Sequence, residues 1–253
     1  MLLCTVRGCG LPLMREERRL VCARAHSFDV ARSGYVNLLQ PQDRRSKEPG
    51  DSAEVVAARR RLHDRGATGA LLAGVREVLA PSSEDIILDV GCGDGFYVGS
   101  LGGIGHGVDI STPAIDLAAR RYTTCEFVAA NADRFLPYAD GSFSIVMSIA
   151  SRMNPLEFRR VLKPGGRLLV ALAAPDDFIE LRGKGRDDRV ARTVEEFSAA
   201  FRLADQRRAT TMADLDAESV EDVLKSIYRP LRSEPAGAMT VTFSLALLLF
   251  KGA

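Results

Sequence analysis

Residues 86–95 read IILDVGCGDG, and this short stretch constrains the fold more than any other. A compact apolar run, Ile86 to Val90, has the length and composition of a buried strand. It stops at Gly91, Gly93 and Gly95, three glycines at alternate positions, where the backbone must turn tightly and a ligand can approach without meeting a Cβ. A nicotinamide fingerprint would space them G-x-G-x-x-G and seat a pyrophosphate on the following helix. Here the spacing is G-x-G-x-G, with Asp89 two residues ahead of the first glycine. That pattern suits a cofactor with no pyrophosphate and a cationic amino-acid end.

Beyond the glycines the chain has the rhythm of an α/β sheet. Strands are expected at 105–110, 125–131, 142–150, 167–174 and 240–250, with a helix from Pro113 to Tyr122 carrying proline in its first turn. Strand–helix alternation of this kind implies a mostly parallel, doubly wound sheet with helices on both faces. Asp109 closes the second strand, 18 residues after Gly91, where a carboxylate can accept both ribose hydroxyls. Asn131, Ala132 and Asp133 close the third strand, where a polar side chain can meet an adenine edge. Lys163-Pro164-Gly165-Gly166 forms a turn into the fifth.

Ahead of this body stands a different kind of sequence. Three of the five cysteines fall in the first 22 residues, and Cys4-x4-Cys9 with Cys22-x3-His26 makes two ligand pairs separated by twelve residues. Three thiolates and an imidazole suit tetrahedral Zn²⁺, and four protein ligands leave no open position, as in a structural site. The odd cysteine count argues against a disulfide framework. The formal net charge of +1 hides an asymmetry, since residues 1–65 hold 13 Lys/Arg against 8 Asp/Glu. A basic appendage on a mildly acidic body suits a polyanionic partner such as nucleic acid. Between the two regions a polar run (QPQDRRSKEPGD) leads to a helix capped by Asp51 or Ser52 and to a second helix, Thr68 to Leu79. The chain is thus expected to divide into a zinc module (1–40), a helical linker (41–82) and an α/β ligand-binding domain (83–253). No apolar stretch is long enough to span a bilayer, and the start does not make a signal peptide, so a cytoplasmic protein without membrane contact is expected.

The ordered set of glycine loop, Asp109, Asn131-Ala132-Asp133 and KPGG resembles the class I S-adenosylmethionine-dependent methyltransferases. The run after His26, Phe28-Asp29-Val30-Ala31-Arg32-Ser33-Gly34-Tyr35-Val36-Asn37-Leu38-Leu39, together with Gly50-Asp51-Ser52 and Ala58-Arg59-Arg60, narrows this. It resembles the bacterial large-subunit ribosomal RNA guanine-N1-methyltransferases. That resemblance implies a class I methyltransferase Rossmann-like fold with a small N-terminal zinc module. It also implies S-adenosylmethionine as cofactor, structural Zn²⁺ on Cys4, Cys9, Cys22 and His26, and a 23S RNA hairpin guanine as acceptor. The cofactor residues it implies are Asp89, Gly91, Gly93, Gly95, Phe96, Asp109, Ile110, Asn131, Ala132, Asp133 and Ser148. It further suggests a homodimer, and in one branch of the family macrolide resistance.

The chain departs from that family around the acceptor. Ala150-Ser151-Arg152-Met153-Asn154-Pro155 replaces an aromatic-Ala-Pro stretch, and Asp176-Asp177 stand where the family has a histidine before Phe178-Ile179-Glu180-Leu181. Thr68 replaces an aromatic, and Ile227 to Leu231 replaces a Met-Thr-Pro motif. Asp176 and Asp177 are the nearest carboxylates to take the guanine N1 proton, and Arg152 could hold a phosphate or base edge. No catalytic base is assigned from sequence. Two other readings stay open: a small-molecule methyltransferase on the same framework, and a non-catalytic RNA-binding protein. Neutralising Arg59, Arg60 and Arg61 is expected to separate an RNA substrate from a small neutral one.

Overall fold

A computed structural model describes residues 1–43, 49–185, 187–227 and 237–252. Arg44, Arg45, Lys47 and the segment 228–231 lie outside the described residues.

The N-terminal ribbon is a three-stranded antiparallel sheet of β1 (Leu13–Glu16), β2 (Arg19–Cys22) and β3 (Ser27–Asp29). Its strands are short, and Leu13, Leu20 and Phe28 are its buried apolar side chains between exposed polar ones. The run after β3 then leaves the ribbon. Val36–Asn37 (β4) adds itself to the edge of the catalytic sheet, and the Leu38 amide donates to the Ala129 carbonyl at 2.8 Å. Ser33 Oγ donates to Asp116 at 2.7 Å, and Leu38 is fully buried. The GYVNLL run therefore has a structural task, which is to splice the ribbon onto the body.

Two helices follow. Helix α1 (Ala53–Asp64) starts at Ser52, whose hydroxyl accepts from the Val55 amide, and α2 is Gly69–Leu79. The body then alternates as its pattern demands. β5 is Ile86–Val90, α3 Phe96–Leu101, β6 Ile104–Asp109 and α4 Thr112–Arg121, capped by the Ser111 hydroxyl. β7 is Glu126–Ala129, β8 Phe143–Ile149, α5 Pro155–Val161 and β9 Leu162–Ala173. The KPGG turn is absorbed at the head of β9 as an irregularity, since Phe143 pairs with Leu162 while Ile145 pairs with Arg167. After α6 (Ile179–Arg182) and α7 (Val190–Phe197), a long hairpin of β10 (Phe201–Leu215) and β11 (Met239–Gly252) encloses α8 (Ala217–Ser226).

The eight-stranded sheet has the order β10-β11-β9-β8-β5-β6-β7-β4. β4 to β9 run parallel to one another, and β11 is antiparallel to both β9 and β10. The strand order reverses between β5 and β8, so the C-terminal ends of β5, β6 and β8 open on the crevice where α/β sheets bind ligands. The central strands are apolar on both faces, as helices on each side require. On one face Ile87, Ile145 and Met147 pack with α2 and α4 residues. On the other, Leu88, Val108 and Val128 form one contiguous core with Leu13, Leu20 and Phe28 of the ribbon. No helix among the described residues is long and apolar enough to cross a membrane.

Candidate active site and zinc centre

The glycine loop sits at the head of β5 as expected. Gly91 has φ 76° and Gly93 φ 54°, both left-handed, a conformation that side-chain-bearing residues adopt only at a cost. Beyond backbone conformation, each glycine keeps a space. A Cβ on Gly91 would collide with Ser151, whereas a Cβ on Gly93 would meet only Arg59, at 3.7 Å. At Gly95 a Cβ would press on Phe127 and Ala118, so that glycine serves packing.

Three carboxylates surround this loop. Asp109 accepts from the Gly93 amide (2.9 Å) and the Ser111 amide (2.8 Å), one on each oxygen, and each oxygen keeps a further lone pair. Asp94 is buried and holds Arg60 Nη1 at 3.3 Å. Asp89 is buried too, and its Oδ1 has no hydrogen-bond partner among the described residues. Burial, with the charges of Asp109 and Asp94 behind it, pushes the Asp89 carboxyl up to about 8. A buried acceptor lacking a donor, beside a cradle kept open by glycine, is the environment a cationic ligand would complete. S-adenosylmethionine, with its sulfonium and ammonium groups, fits that donor set.

The other sequence-predicted cofactor residues stand at or beyond the C-terminal ends of β5 to β8. Ile110 follows β6 and packs beneath Gly50, and Phe96 opens α3 with its ring stacked on His63 at 3.9 Å. Asn131 accepts from the Asp133 amide through its side chain, turning the chain after β7 through Ala132. Ser148 is buried near the end of β8 and donates to the Arg152 carbonyl at 3.2 Å.

The loop from 150 to 154 covers the cradle. Ala150 is held at φ 51°, and Asp133 pairs with Arg152 at 3.4 Å. Asn154 is occupied at both ends, since its Oδ1 accepts from the Glu157 amide as the cap of α5 and its Nδ2 donates to the Asp133 carbonyl. The two candidate proton acceptors are also engaged. Asp176 pairs with Arg208, and, against the opposing effect of burial, Arg208 and Ser244 hold its carboxyl below the ordinary range. Asp177 is buried and accepts from the Ser244 amide at 3.1 Å.

The triple arginine does not face outward. Arg60 is buried and held by Asp64, Asp94 and the Tyr122 hydroxyl, while Arg61 grips the buried Asp222 of α8 with two hydrogen bonds of 2.8 and 2.6 Å. Arg59 pairs with Asp51 at 2.7 Å. Arg60 and Arg61 tie α1 to its neighbours, so neutralising all three cations would loosen that helix as well as remove charge. Sequence reasoning also missed His63. Its imidazole is bonded to Thr68 and pushed down to about 3 by burial, reinforced by Arg59 and Arg60, so it stays neutral. Thr68, where the resembled family carries an aromatic, thus positions a different ring. A helix-spaced histidine gives no sequence signal of that role.

At the ribbon, Cys4, Cys9, Cys22 and His26 converge, with all four ligand atoms within 4.8 Å of one another. Cys9 Sγ and Cys22 Sγ are 3.8 Å apart, and both Cys4 Sγ and Cys22 Sγ stand 3.4 Å from His26 Nδ1. Tetrahedral zinc with Zn–S near 2.3 Å requires sulfur atoms about 3.8 Å apart, so the cluster has the right size. Turns supply it. The Cys9 amide donates to the Val6 carbonyl, and the Ala25 amide donates to the Cys22 carbonyl. A groove of about 440 Å³ lies where ribbon meets sheet, lined in part by His26, Phe28, Asp29, Asn37 and Gln40.

Known proteins agree with this two-part architecture. Residues 4–47 match the zinc-ribbon family described as "RlmA, N-terminal", and residues 88–170 match a methyltransferase domain family. The 23S rRNA (guanine(748)-N(1))-methyltransferase of Streptomyces fradiae is 34% identical over 230 residues, covering 85% of this chain and 81% of that one. Among solved structures, one titled for conversion of a disulfide bond into a thioacetal group during echinomycin biosynthesis superimposes with a TM-score of 0.52 at 13% identity. It covers 72% of this chain and 81% of its own. A complex of the Haloferax volcanii Trm112 methyltransferase activator with a methyltransferase gives 0.51 at 22% identity, covering 78% and 93%. These structures share the class I fold. The chain belongs to the 23S rRNA (guanine-N1)-methyltransferases, S-adenosylmethionine-dependent enzymes with a zinc-binding N-terminal ribbon.

Proposed function

We propose that this enzyme methylates N1 of a single guanine in a hairpin of 23S RNA, with the ribbon and the crevice gripping the RNA together. The observation that carries the reading is the splice of the ribbon onto the sheet by β4. It puts a zinc-stapled module, whose Arg7, Arg15, Arg18, Arg24 and Arg32 are exposed, in fixed relation to the methyl-donor crevice. Phosphate contacts from such cations orient a substrate without reading its sequence.

S-adenosylmethionine, when bound, supplies an electrophilic methyl on a sulfonium. The chain's part is then mainly positioning, because an in-line displacement gains most from alignment. Asp89 would take the ammonium and Asp109 the ribose hydroxyls, with Gly91 and Gly95 shaping the loop and Gly93 leaving room for the ligand to come close. Phe96, Ile110, Asn131, Ala132, Asp133 and Ser148 would line the rest. The loop 150–154 stands over that cradle and would align the acceptor base, which must leave its stack to enter. Guanine N1 carries a proton at neutral pH. With Asp176 and Asp177 engaged by Arg208 and Ser244, we assign that proton to water at the mouth of the crevice. A dimer, as the family resemblance suggests, would place two ribbons along one RNA.

The test is transfer of labelled methyl from S-adenosylmethionine to unmodified 23S RNA fragments, with the product nucleotide mapped. Label on one hairpin guanine is the expected result. Label on another nucleotide, or on none while cofactor still binds, would reject this target.

A further inference from the structure

We propose that Arg59 is the residue that recognises the carboxylate of the cofactor's methionine half. The three consecutive arginines of α1 divide their work by direction. Arg61 ties the helix to α8 through Asp222, and Arg60 ties it to the glycine loop through Asp94. Arg59 stands above that loop, its Nη1 being 3.7 Å from the point a Cβ of Gly93 would occupy. The space beside Gly93 is thus bounded by a guanidinium.

The chemistry of the crevice calls for such a cation. Its polar lining near the loop is dominated by Asp89, Asp94 and Asp109, which suit an ammonium and ribose hydroxyls and would repel a carboxylate. The cofactor's amino-acid end is a zwitterion, so a cation beside these acids would match its carboxylate. Arg60 is already committed, with Nε and Nη2 on Asp64 and Nη1 shared between Asp94 and Tyr122. Arg59 presents its N–H donors in a planar fork, the geometry that matches a carboxylate. Asp51 fixes where that fork points. Its side chain accepts from Arg59 Nη1 at 2.7 Å, and its carbonyl accepts from Ser111 Oγ at 2.7 Å, next to the Asp109 turn. The position of the guanidinium is therefore coupled to that of the ribose-binding carboxylate.

This inference rests on the cofactor and not on the RNA target, and its test contains no RNA. Calorimetry on the whole protein would compare S-adenosylmethionine with its decarboxylated form. A charge-assisted contact to the carboxylate predicts that the wild type prefers the intact cofactor by about 10- to 100-fold. Arg59→Gln should erase that preference while leaving the affinity for the decarboxylated form within about threefold, since only the contact to the missing group is lost. Equal affinities in the wild type would overturn the proposal with no variant needed. So would an Arg59→Gln protein that keeps the preference, or one that weakens both ligands alike, which would make Arg59 a prop for the loop. If the glutamine variant fails to fold, Arg59→Lys decides by the same ratio: retention of the full wild-type preference would reject the bidentate role, and a reduced preference would support it.

Discussion

In the ribbon, three strands of three or four residues bury Leu13, Leu20 and Phe28, and most of their other side chains are polar or metal-ligating. In the sheet, β8 alone buries Phe143, Ile145, Val146 and Met147 between two helical layers. The two regions therefore reach a fixed structure by different physics. The body has enough apolar area to fold around its own core, whereas a segment of about 40 residues does not and needs an added cross-link. Loss of the metal is then expected to spare the cofactor crevice, because β5, β6, β8 and α1 supply no zinc ligand, even though Leu88 and Val108 share a core with the ribbon.

The largest effect should follow from breaking the cross-link. Cys22→Ser removes a ligand from a site whose metal affinity is folding energy, of order 10 kcal/mol for such modules. We expect bound zinc to be lost, RNA methylation to fall by roughly a hundredfold or more, and S-adenosylhomocysteine affinity to stay within about threefold of wild type. Zinc content, calorimetry and methyl transfer measured on one preparation decide this. If cofactor binding collapsed with the metal, ribbon and body would be a single cooperative unit with one shared physics.

The second prediction runs the other way and damages the crevice alone. Gly93→Ala places a methyl where the protein has room, with Arg59 its nearest neighbour at 3.7 Å. The left-handed backbone should cost about 1–2 kcal/mol of stability, a drop of a few degrees in Tm. The cofactor would lose more, roughly thirtyfold in affinity, because the methyl fills space reserved for it. Zinc content should not change. An alanine variant that binds cofactor normally would show that the cradle at Gly93 is not where the ligand lies.

Legibility in the sequence differs between the same two regions. Ile86 to Gly95 announces a strand, a turn and a ligand, because an apolar run that ends in spaced glycines leaves few other physical options. Cys4, Cys9, Cys22 and His26 announce a metal for a similar reason, since ligand chemistry is written in residue type. The direction of a long side chain is not so written. Arg59, Arg60 and Arg61 read as a basic patch, yet their partners Asp51, Asp94 and Asp222 lie 8, 34 and 161 residues away and cannot be paired without the fold. β10 is equally hidden, because its mixed sequence FRLADQRRATTMADL becomes a strand by lying against the apolar β11. The GYVNLL run is legible by resemblance alone, and its physical reason is visible only as an edge strand.

The electrostatics of the crevice set it apart from the ribbon through a pH dependence. Folding raises the Asp89 carboxyl from its ordinary value near 4 to about 8, chiefly through burial. The folded state thus binds this proton more tightly than the unfolded chain does. Its stabilising effect is complete below about pH 4 and is lost as pH rises through about 8. A cationic ligand reverses the preference and drives the proton off. Cofactor binding near pH 7 should therefore release close to one proton per site, and the release should fade above about pH 9. Calorimetry in buffers of different ionisation enthalpy measures the number, and Asp89→Asn should abolish it. Release unchanged in that variant would place the ammonium elsewhere.

The smallest effect is expected at Asn154, and it separates a prop from a participant in the acceptor loop. The side chain accepts from the Glu157 amide at 3.3 Å and donates to the Asp133 carbonyl at 3.2 Å. Asn154→Ala should remove a helix cap worth about 1 kcal/mol and slacken the tie between the loops that follow β7 and β8. Cofactor affinity should hold, since nothing at the glycine loop changes, and the rate of methyl transfer should fall only several-fold as the loop wanders. Asn154→Asp, which preserves the cap but not the donor to Asp133, should recover stability without recovering the full rate. A loss of a thousandfold in rate with cofactor binding intact would mean that the amide touches the acceptor base. The loop over the cradle would then be part of the chemistry instead of its support.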